Sequence, residues 1–215
     1  MNRVCLLHTV TGLPAVFADL LRAEVGPVDA VNIVDETLLR DTIEHGMLAR
    51  TRRRVAAYAA FAEESGATAV LVTCSSIGEA AEQARAEVGI PIYRVDEPMA
   101  AQAVTAGGRI GVLATLAATL QPTRDLLRRT AGEPCEIRES VCPGAFDALR
   151  DGDAGRHDEI VAAEVRRLAA EVDVLVLAQA SMARVVDRLP AEQVPVPVLT
   201  SPRSGVRQLR PFATG

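Results

Sequence analysis

Short apolar runs alternate along the chain with longer stretches whose apolar positions recur every three to four residues. Residues 3–7 form a compact apolar run that predicts a buried strand, and Leu13, Val16, Phe17, Leu20 and Leu21 then share one helical face. Asp29–Val34 predicts a second strand. A helical stretch over 36–65 follows, with Gly46 as its break. Residues 67–73 are strongly β and lead into a helix ending near Val88. Residues 90–95 predict another strand, entered through Pro91 as a first-residue or edge proline permits. The order then recurs. Strands are predicted at Arg109–Ala114, Glu136–Val141, 174–178 and 196–200, with helices over 120–130, up to Val172 and after Ala178. Strands spaced by helices predict parallel sheets with right-handed crossovers.

The recurrence extends to residue level. The run from Arg3 to Val10 lines up with Arg109 to Leu116, which pairs Thr9 with Thr115 at an offset of 106. Leu71 to Ile77 lines up with Val176 to Met182, which pairs Cys74 with Gln179 at an offset of 105. Ile90-Pro91-Ile92 matches Val196-Pro197-Val198 at 106. Three matches at nearly one offset predict a duplicated α/β unit, although buried strands resemble one another in any single match. The expected architecture is two similar Rossmann-like domains related by a pseudo-twofold axis. They would divide at Gly107-Gly108 into residues 1–107 and 108–215, with the last helix (203–215) free to pack back onto the first. Open parallel sheets bind ligands beyond the carboxyl ends of their strands, and like halves face each other across a cleft.

Composition narrows the chemistry. At ~150 residues per domain, 215 residues allow one large domain or two small ones. Hydrophobic residues make up 49% and aromatics 3%, so the core must be aliphatic. A net charge of -5 argues against a nucleic-acid footprint, which needs a basic face. All 23 basic residues are arginine. With no lysine there is neither a Schiff base to pyridoxal phosphate or a carbonyl substrate nor a Walker A loop. No apolar run reaches the ~18 residues of a membrane span. The N-terminus enters a strand-like run without a basic-then-apolar export signal. Cys5, Cys74, Cys135 and Cys142 show no CxxC spacing and no neighbouring histidine cluster, so neither zinc nor a disulfide framework is expected. The expected setting is cytoplasmic, with no metal and no cofactor.

The residues at the predicted strand ends are small, hydroxylated or nucleophilic: His8-Thr9, Thr73-Cys74-Ser75-Ser76, Thr115 to Thr119, and Gln179-Ala180-Ser181. Cys74 stands between a strand and a helix, where helix amide groups favour the reactive thiolate. The structural alternative is an inert buried cysteine. Ser75 and Ser76 add hydroxyl donors, and backbone amides of the turn could hold a carboxylate. Thr115 and Thr119, with Thr9 as the repeat partner of Thr115, are further carboxylate donors or plain helix caps.

The Thr-Cys-Ser-Ser turn at 73–76, the Gly-Val-Leu-Ala-Thr turn at 111–115 and the duplicated pattern resemble the aspartate/glutamate/hydantoin racemase superfamily, which also holds maleate isomerases and arylmalonate decarboxylases. The resemblance runs over essentially the whole chain and is sharp at those turns. It implies two α/β domains with a small carboxylate substrate between them, a homodimer, and no cofactor. It also implies two cysteines on opposite faces of the substrate's α-carbon, one removing the proton and the other returning it. Hydroxylated turns would hold the carboxylate and stabilise an enediolate-like intermediate.

Cys74 matches the first of those cysteines. The second belongs to a Leu-Gly-Cys turn, and here that turn reads Leu177-Ala178-Gln179-Ala180-Ser181-Met182. Gln179 therefore replaces it, and an amide has no proton that titrates near neutral pH. Ser181 is an unactivated hydroxyl. His8, whose ordinary pKa of about 6.5 suits proton transfer, is the candidate second base. Three outcomes stay open: an isomerase that recruits His8 or whose Cys74 thiolate adds to an unsaturated diacid, a one-cysteine decarboxylase or other lyase of an activated dicarboxylic acid, and a non-catalytic carboxylate binder. Elsewhere, Asp35-Glu36 reads as a helix-start charge pair or a cleft residue pair. Arg52 to Arg54 read as a solvated turn, His45 and His157 as surface residues, and Val55 to Phe61 as core or a dimer face.

Overall fold

The computed structural model describes residues 2–186 and 188–213. They form two compact units: residues up to Asp96 together with those from Pro202 onward, and Glu97–Ser201.

The first unit runs β1 (Arg3–His8), α1 (Leu13–Glu24), β2 (Asp29–Val34), α2 (Glu36–His45), α3 (Ala49–Glu64), β3 (Ala67–Val72), α4 (Gly78–Ala84) and β4 (Ile92–Arg94). Its strands are all parallel in the order β2-β1-β3-β4. β1 and β3 are central and almost wholly buried, as their continuous apolar runs require. β2 lies at an edge and exposes Val31 and Val34. The predicted break at Gly46 is the C-cap of α2, where φ of 72° suits glycine. Leu38 of α2 and Val55, Ala59 and Ala62 of α3 close the core over Cys5, Leu7, Val70 and Val72. The 55–61 stretch thus supplies core, while Phe61 itself is 59% exposed.

The second unit runs α5 (Glu97–Ala106), β5 (Arg109–Ala114), α6 (Leu120–Ala131), β6 (Glu136–Val141), α7 (Ala145–Arg150), α8 (Ala154–Ala169), β7 (Val174–Leu177), α9 (Ala183–Val186) and β8 (Val198–Thr200). Its parallel order, β6-β5-β7-β8, repeats the first strand for strand. Bonds past the strand ends repeat as well. Thr73 N–H donates to the Leu7 carbonyl at 3.0 Å, and Ala178 N–H donates to Leu113 at 2.9 Å. Asp35 N–H donates to His8 at 3.0 Å, and Cys142 N–H donates to Ala114 at 2.8 Å.

Two features depart from the sequence pattern. α5 was not signalled, because it buries only Met99, Ala100 and Ala103 and carries no strong apolar stripe. It packs with Ile110, Val174 and Val176, so the Gly107-Gly108 link falls inside the second unit. The single helix expected to end near Val172 is two helices. Gly152 turns the chain at φ 85°, and Asp153 caps α8 by accepting from the Arg156 N–H at 2.9 Å.

The chain returns to the first unit through α10 (Ser201–Arg207). Arg203 and Arg207 both pair with Glu24, and the Gln208 side chain donates to the Arg94 carbonyl at 2.8 Å. Gly205 lies so close to Val95 that a Cβ there would stand 2.6 Å from the Val95 carbonyl oxygen.

Candidate functional site

The candidate residues of the first unit sit just past the ends of β1 and β3. β3 ends at Val72, and Cys74 follows in extended backbone at the head of a 3-10 turn, Ser75–Ile77, that runs into α4. Ser75 and Ser76 are buried, and Cys74 is half-buried; its carbonyl accepts from the Ile77 N–H at 3.4 Å and its thiol makes no side-chain capping bond. The turn has a firm base. The Arg94 guanidinium lies against Gly78, where a Cβ would come within 2.3 Å of its Cζ. Arg94 is held by Asp96 through two bonds of 2.9 and 2.8 Å and by Glu82. Burial pushes the Cys5 thiol up to about 11 and the Cys142 thiol to about 12, so both stay protonated near neutral pH. Cys135 precedes β6 and Cys142 follows it, away from the end of β7.

His8 closes β1 and is wholly buried. Its Nε2 lies 2.8 Å from Asn32 Oδ1, and its Nδ1 lies 2.9 Å from the Thr73 hydroxyl. The Thr73 hydroxyl also donates to the Leu7 carbonyl at 3.0 Å, so it joins His8 to the end of β1 as well. Burial lowers its pKa and outweighs the opposing Asn32 bond. The Phe17 ring covers its edge at 5.5 Å. Both nitrogens thus have protein partners, so His8 as placed ties the ends of β1, β2 and β3 together and offers no free nitrogen as a base. Thr9, the next residue, is buried, and its hydroxyl has no hydrogen-bond partner.

In the second unit Gln179 stands where Cys74 stands in the first. It follows β7 in extended backbone and heads the 3-10 turn Ala180–Met182. Its Oε1 accepts from the Thr115 N–H at 2.5 Å and from the Thr115 hydroxyl at 2.9 Å. Thr115 therefore spends both donors on this chain's own amide. Thr119 is buried at the N-cap of α6 without a side-chain capping bond, and its carbonyl accepts from the Thr123 hydroxyl at 2.9 Å. Ser181 lies half-buried within the Gln179 turn.

Outside these turns, Asp35 is the N-cap of α2 and accepts from the Thr37 N–H at 2.9 Å, the Thr37 hydroxyl and the Tyr58 hydroxyl at 2.9 Å. Burial alone would raise its carboxyl, but the Thr37 and Tyr58 bonds outweigh burial and hold it below its ordinary value. A depressed folded pKa contributes stability above the unfolded value of about 3.9 and loses it as pH falls through the folded one. Asp35→Ala is thus expected to cost about 0.5–2 kcal/mol at neutral pH. Urea melts of both proteins should show that deficit shrinking in acid.

Arg54 reaches Asp35 and Thr37, and Arg52 pairs with Glu79, so only Arg53 fits the solvated turn expected of this triplet. His45 is exposed as expected. His157 is not: it is wholly buried, its Nδ1 is 2.8 Å from Asp158, and its Nε2 is unpaired. The polar residues around it in sequence mask this, because Asp158 turns back to hold Arg184 and Arg188. A cavity of about 460 Å³ beside α8 and α9 contains none of the candidate residues. Among the described residues no group of three or more His, Cys, Asp or Glu is arranged to hold a metal, and no helix is long and apolar enough to cross a membrane.

Compared with protein families, residues 13–209 match the model described as Asp/Glu/Hydantoin racemase. No curated protein matches the sequence. Among solved structures, the chain is similar to glutamate racemase isoform RacE1 from Bacillus anthracis, with 18% identity, a TM-score of 0.72, and coverage of 100% of this chain and 85% of that one. Allantoin racemase from Klebsiella pneumoniae is 19% identical with a TM-score of 0.71, covering 98% and 87%. An aspartate racemase homologue from Pyrococcus horikoshii OT3 is 12% identical with a TM-score of 0.71, covering 97% of both chains. At these identities the structural likeness is one of fold.

Proposed function

Because the chain belongs to the Asp/Glu/hydantoin racemase family, we propose that this racemase-type isomerase works without a cofactor at the carbon next to a carboxylate, with Cys74 as its thiol. The observation that carries this reading is the asymmetry of two matched turns. Cys74 and Gln179 head equivalent 3-10 turns after β3 and β7, yet only the cysteine can give or take a proton. The Cys74 thiolate would remove the α-proton on one face, the electron pair would pass into the carboxylate as an enediolate, and isomerisation would be completed by a proton delivered to the opposite face, for which His8 past the end of β1 is the candidate donor. Buried Ser75 and Ser76 and the turn amides are the nearest donors for the developing charge. In the donor role His8 would exchange one of its present partners, Asn32 or the Thr73 hydroxyl, for the substrate.

A second reading follows from the same asymmetry. With one proton-bearing turn, the enzyme suits a decarboxylation: the bond to one carboxyl breaks, its electron pair stays on the α-carbon, and the Cys74 thiol protonates that carbon on one face. A binder that has lost the chemistry is the remaining possibility. The substrate in every case is a small carboxylate. A cytoplasmic setting and a dimeric assembly are part of the proposal and are checked by fractionation and light scattering.

Proton NMR in deuterium oxide separates the readings, on a panel of amino acids, hydantoins and dicarboxylic acids with chiral analysis of the same samples. Exchange that depends on Cys74 and retains configuration supports one-base chemistry. Inversion requires a second base. A panel with neither exchange nor turnover counts against catalysis. Gln179→Cys restores a thiol to the second turn and is expected to create or raise racemisation of an acid the wild type only exchanges. A folded variant that binds the same acid and gains no inversion removes the equivalence of the two turns.

A further inference from the structure

We infer that Asn32, on the exposed edge of the first sheet, is the positioning residue that holds buried His8 as a proton donor, and that its amide is the gate past which that proton is renewed. The inference rests on the reading of His8 as the donor opposite Cys74. The Thr73 hydroxyl has one proton, which it donates to the Leu7 carbonyl at 3.0 Å. Toward His8 Nδ1, at 2.9 Å, it can then only accept. Asn32 Oδ1, 2.8 Å from Nε2, is an acceptor by its nature. All three bonds are therefore made together only when both ring nitrogens carry a proton. The surroundings of His8 are those of an imidazolium, the form that gives a proton away. Burial works against that form, and the Asn32 bond is what opposes burial. A neutral ring keeps its Nδ1 proton on Thr73 and bares Nε2, which the same amide meets with its NH₂ once it turns over. Asn32 thus serves both forms of the ring, and at the one nitrogen where they differ.

Proton balance makes Nε2 the exchange point. One isomerisation moves a proton from the substrate carbon to the Cys74 thiolate and another from His8 Nε2 to the opposite face. The enzyme is left with a thiol and a neutral ring. Before the next turnover in that direction, the thiol must lose a proton to water and the ring must take one from it. Cys74 is half-buried and keeps some contact with solvent. His8 is 0% exposed, and the Phe17 ring stands against it at 5.5 Å. On the Nδ1 side, Thr73 is 3% exposed and leads back to the Leu7 carbonyl inside β1. Of the two side chains that bond the ring, Asn32 is the exposed one. It lies on β2, which has β1 as neighbour on one side only, so the amide swings off the ring without disturbing a strand pair. Water, or the substrate, then takes its place at Nε2.

The test is NMR of the whole chain with ¹⁵N-labelled histidine, which gives only three ring systems to assign. It reads exchange of the His8 Nε2 proton with water and the ¹⁵N position of Nε2, and it needs no substrate. Asn32→Ala uncovers the nitrogen and should speed exchange about tenfold or more, the factor of one hydrogen bond that no longer has to open. Asn32→Leu offers no acceptor and an apolar cover. It should slow exchange by a similar factor and move the Nε2 signal toward that of a bare nitrogen. Asn32→Asp should return the signal to the protonated position, a rescue that a merely structural role would not give. Equal exchange in wild type, Asn32→Ala and Asn32→Leu, or a change seen only in Thr73→Val, would overturn the proposal. The donor reading is tested separately by His8→Gln on the acid panel. If His8→Gln still inverts while the Asn32 variants alter exchange, that reading falls and the gate stands. If inversion is lost and the Asn32 variants exchange like wild type, the gate falls alone.

Discussion

Replacing Cys74 by alanine is expected to lower α-proton exchange on the responsive acid by about 10²–10⁴-fold, the range set by loss of a positioned acid–base group. The fold should survive. Cys74 is half-buried and heads its turn without a side-chain cap, and its one bond, from the Ile77 N–H, is to its backbone carbonyl, so alanine removes one sulfur atom and no internal bond. Circular dichroism and a thermal melt on the same preparation would separate chemistry from folding. Exchange that persists undiminished in a natively folded Cys74→Ala protein would remove the thiol from the mechanism. Cys5 and Cys142 could not take its place, since burial holds both thiols protonated.

Asp96→Asn is the substitution expected to cost the most stability, about 3–5 kcal/mol, because it leaves a buried guanidinium short of its counter-charge. Asp96 and Arg94 are 0% and 1% exposed and joined by two hydrogen bonds, with Glu82 as a further acceptor. Removing both charges should cost less than removing one, so Arg94→Met/Asp96→Leu is expected to melt above Asp96→Asn. The same comparison reports on the site. The guanidinium fills the space against Gly78, directly after the Cys74 turn, so a protein that tolerates the double change should still show slower exchange from a loosened turn. Equal melting of wild type and Asp96→Asn would show that the pair contributes nothing net.

The sequence was most informative where the physics is local. Apolar periodicity located the eight strands among the described residues, and Gly46 ends α2 where expected because a positive φ is a property of one residue. It was least informative where burial is shallow or depends on distant neighbours. α5 leaves no signal in the sequence because alanines bury without forming a strong apolar stripe. His157 reads as a surface residue because its neighbours in sequence are polar, yet it is wholly buried and Arg184, 27 positions later, reaches its ring. Among site residues, the placement of Cys74 at the turn after β3 and its mismatch with Gln179 were legible, since turn residues and repeat register are written in order along the chain. The engagement of His8 was not, because Asn32 and Thr73 lie 24 and 65 positions away.

By itself, then, the sequence determined a duplicated parallel α/β chain, its membership of a racemase family, and the presence of a thiol in only one of two matched turns. Those follow from periodicity, turn residues and an internal offset, all readable along one dimension. Only the tertiary structure decided how each polar group is spent. Strand register brings Thr115 against Gln179 across 64 residues, closes His8 between two partners, sets Arg94 under the Cys74 turn, and leaves the Thr9 hydroxyl unpaired. Hydrogen bonds have a reach of about 3 Å and no sequence period, so which donors remain for a ligand is a property of the folded chain.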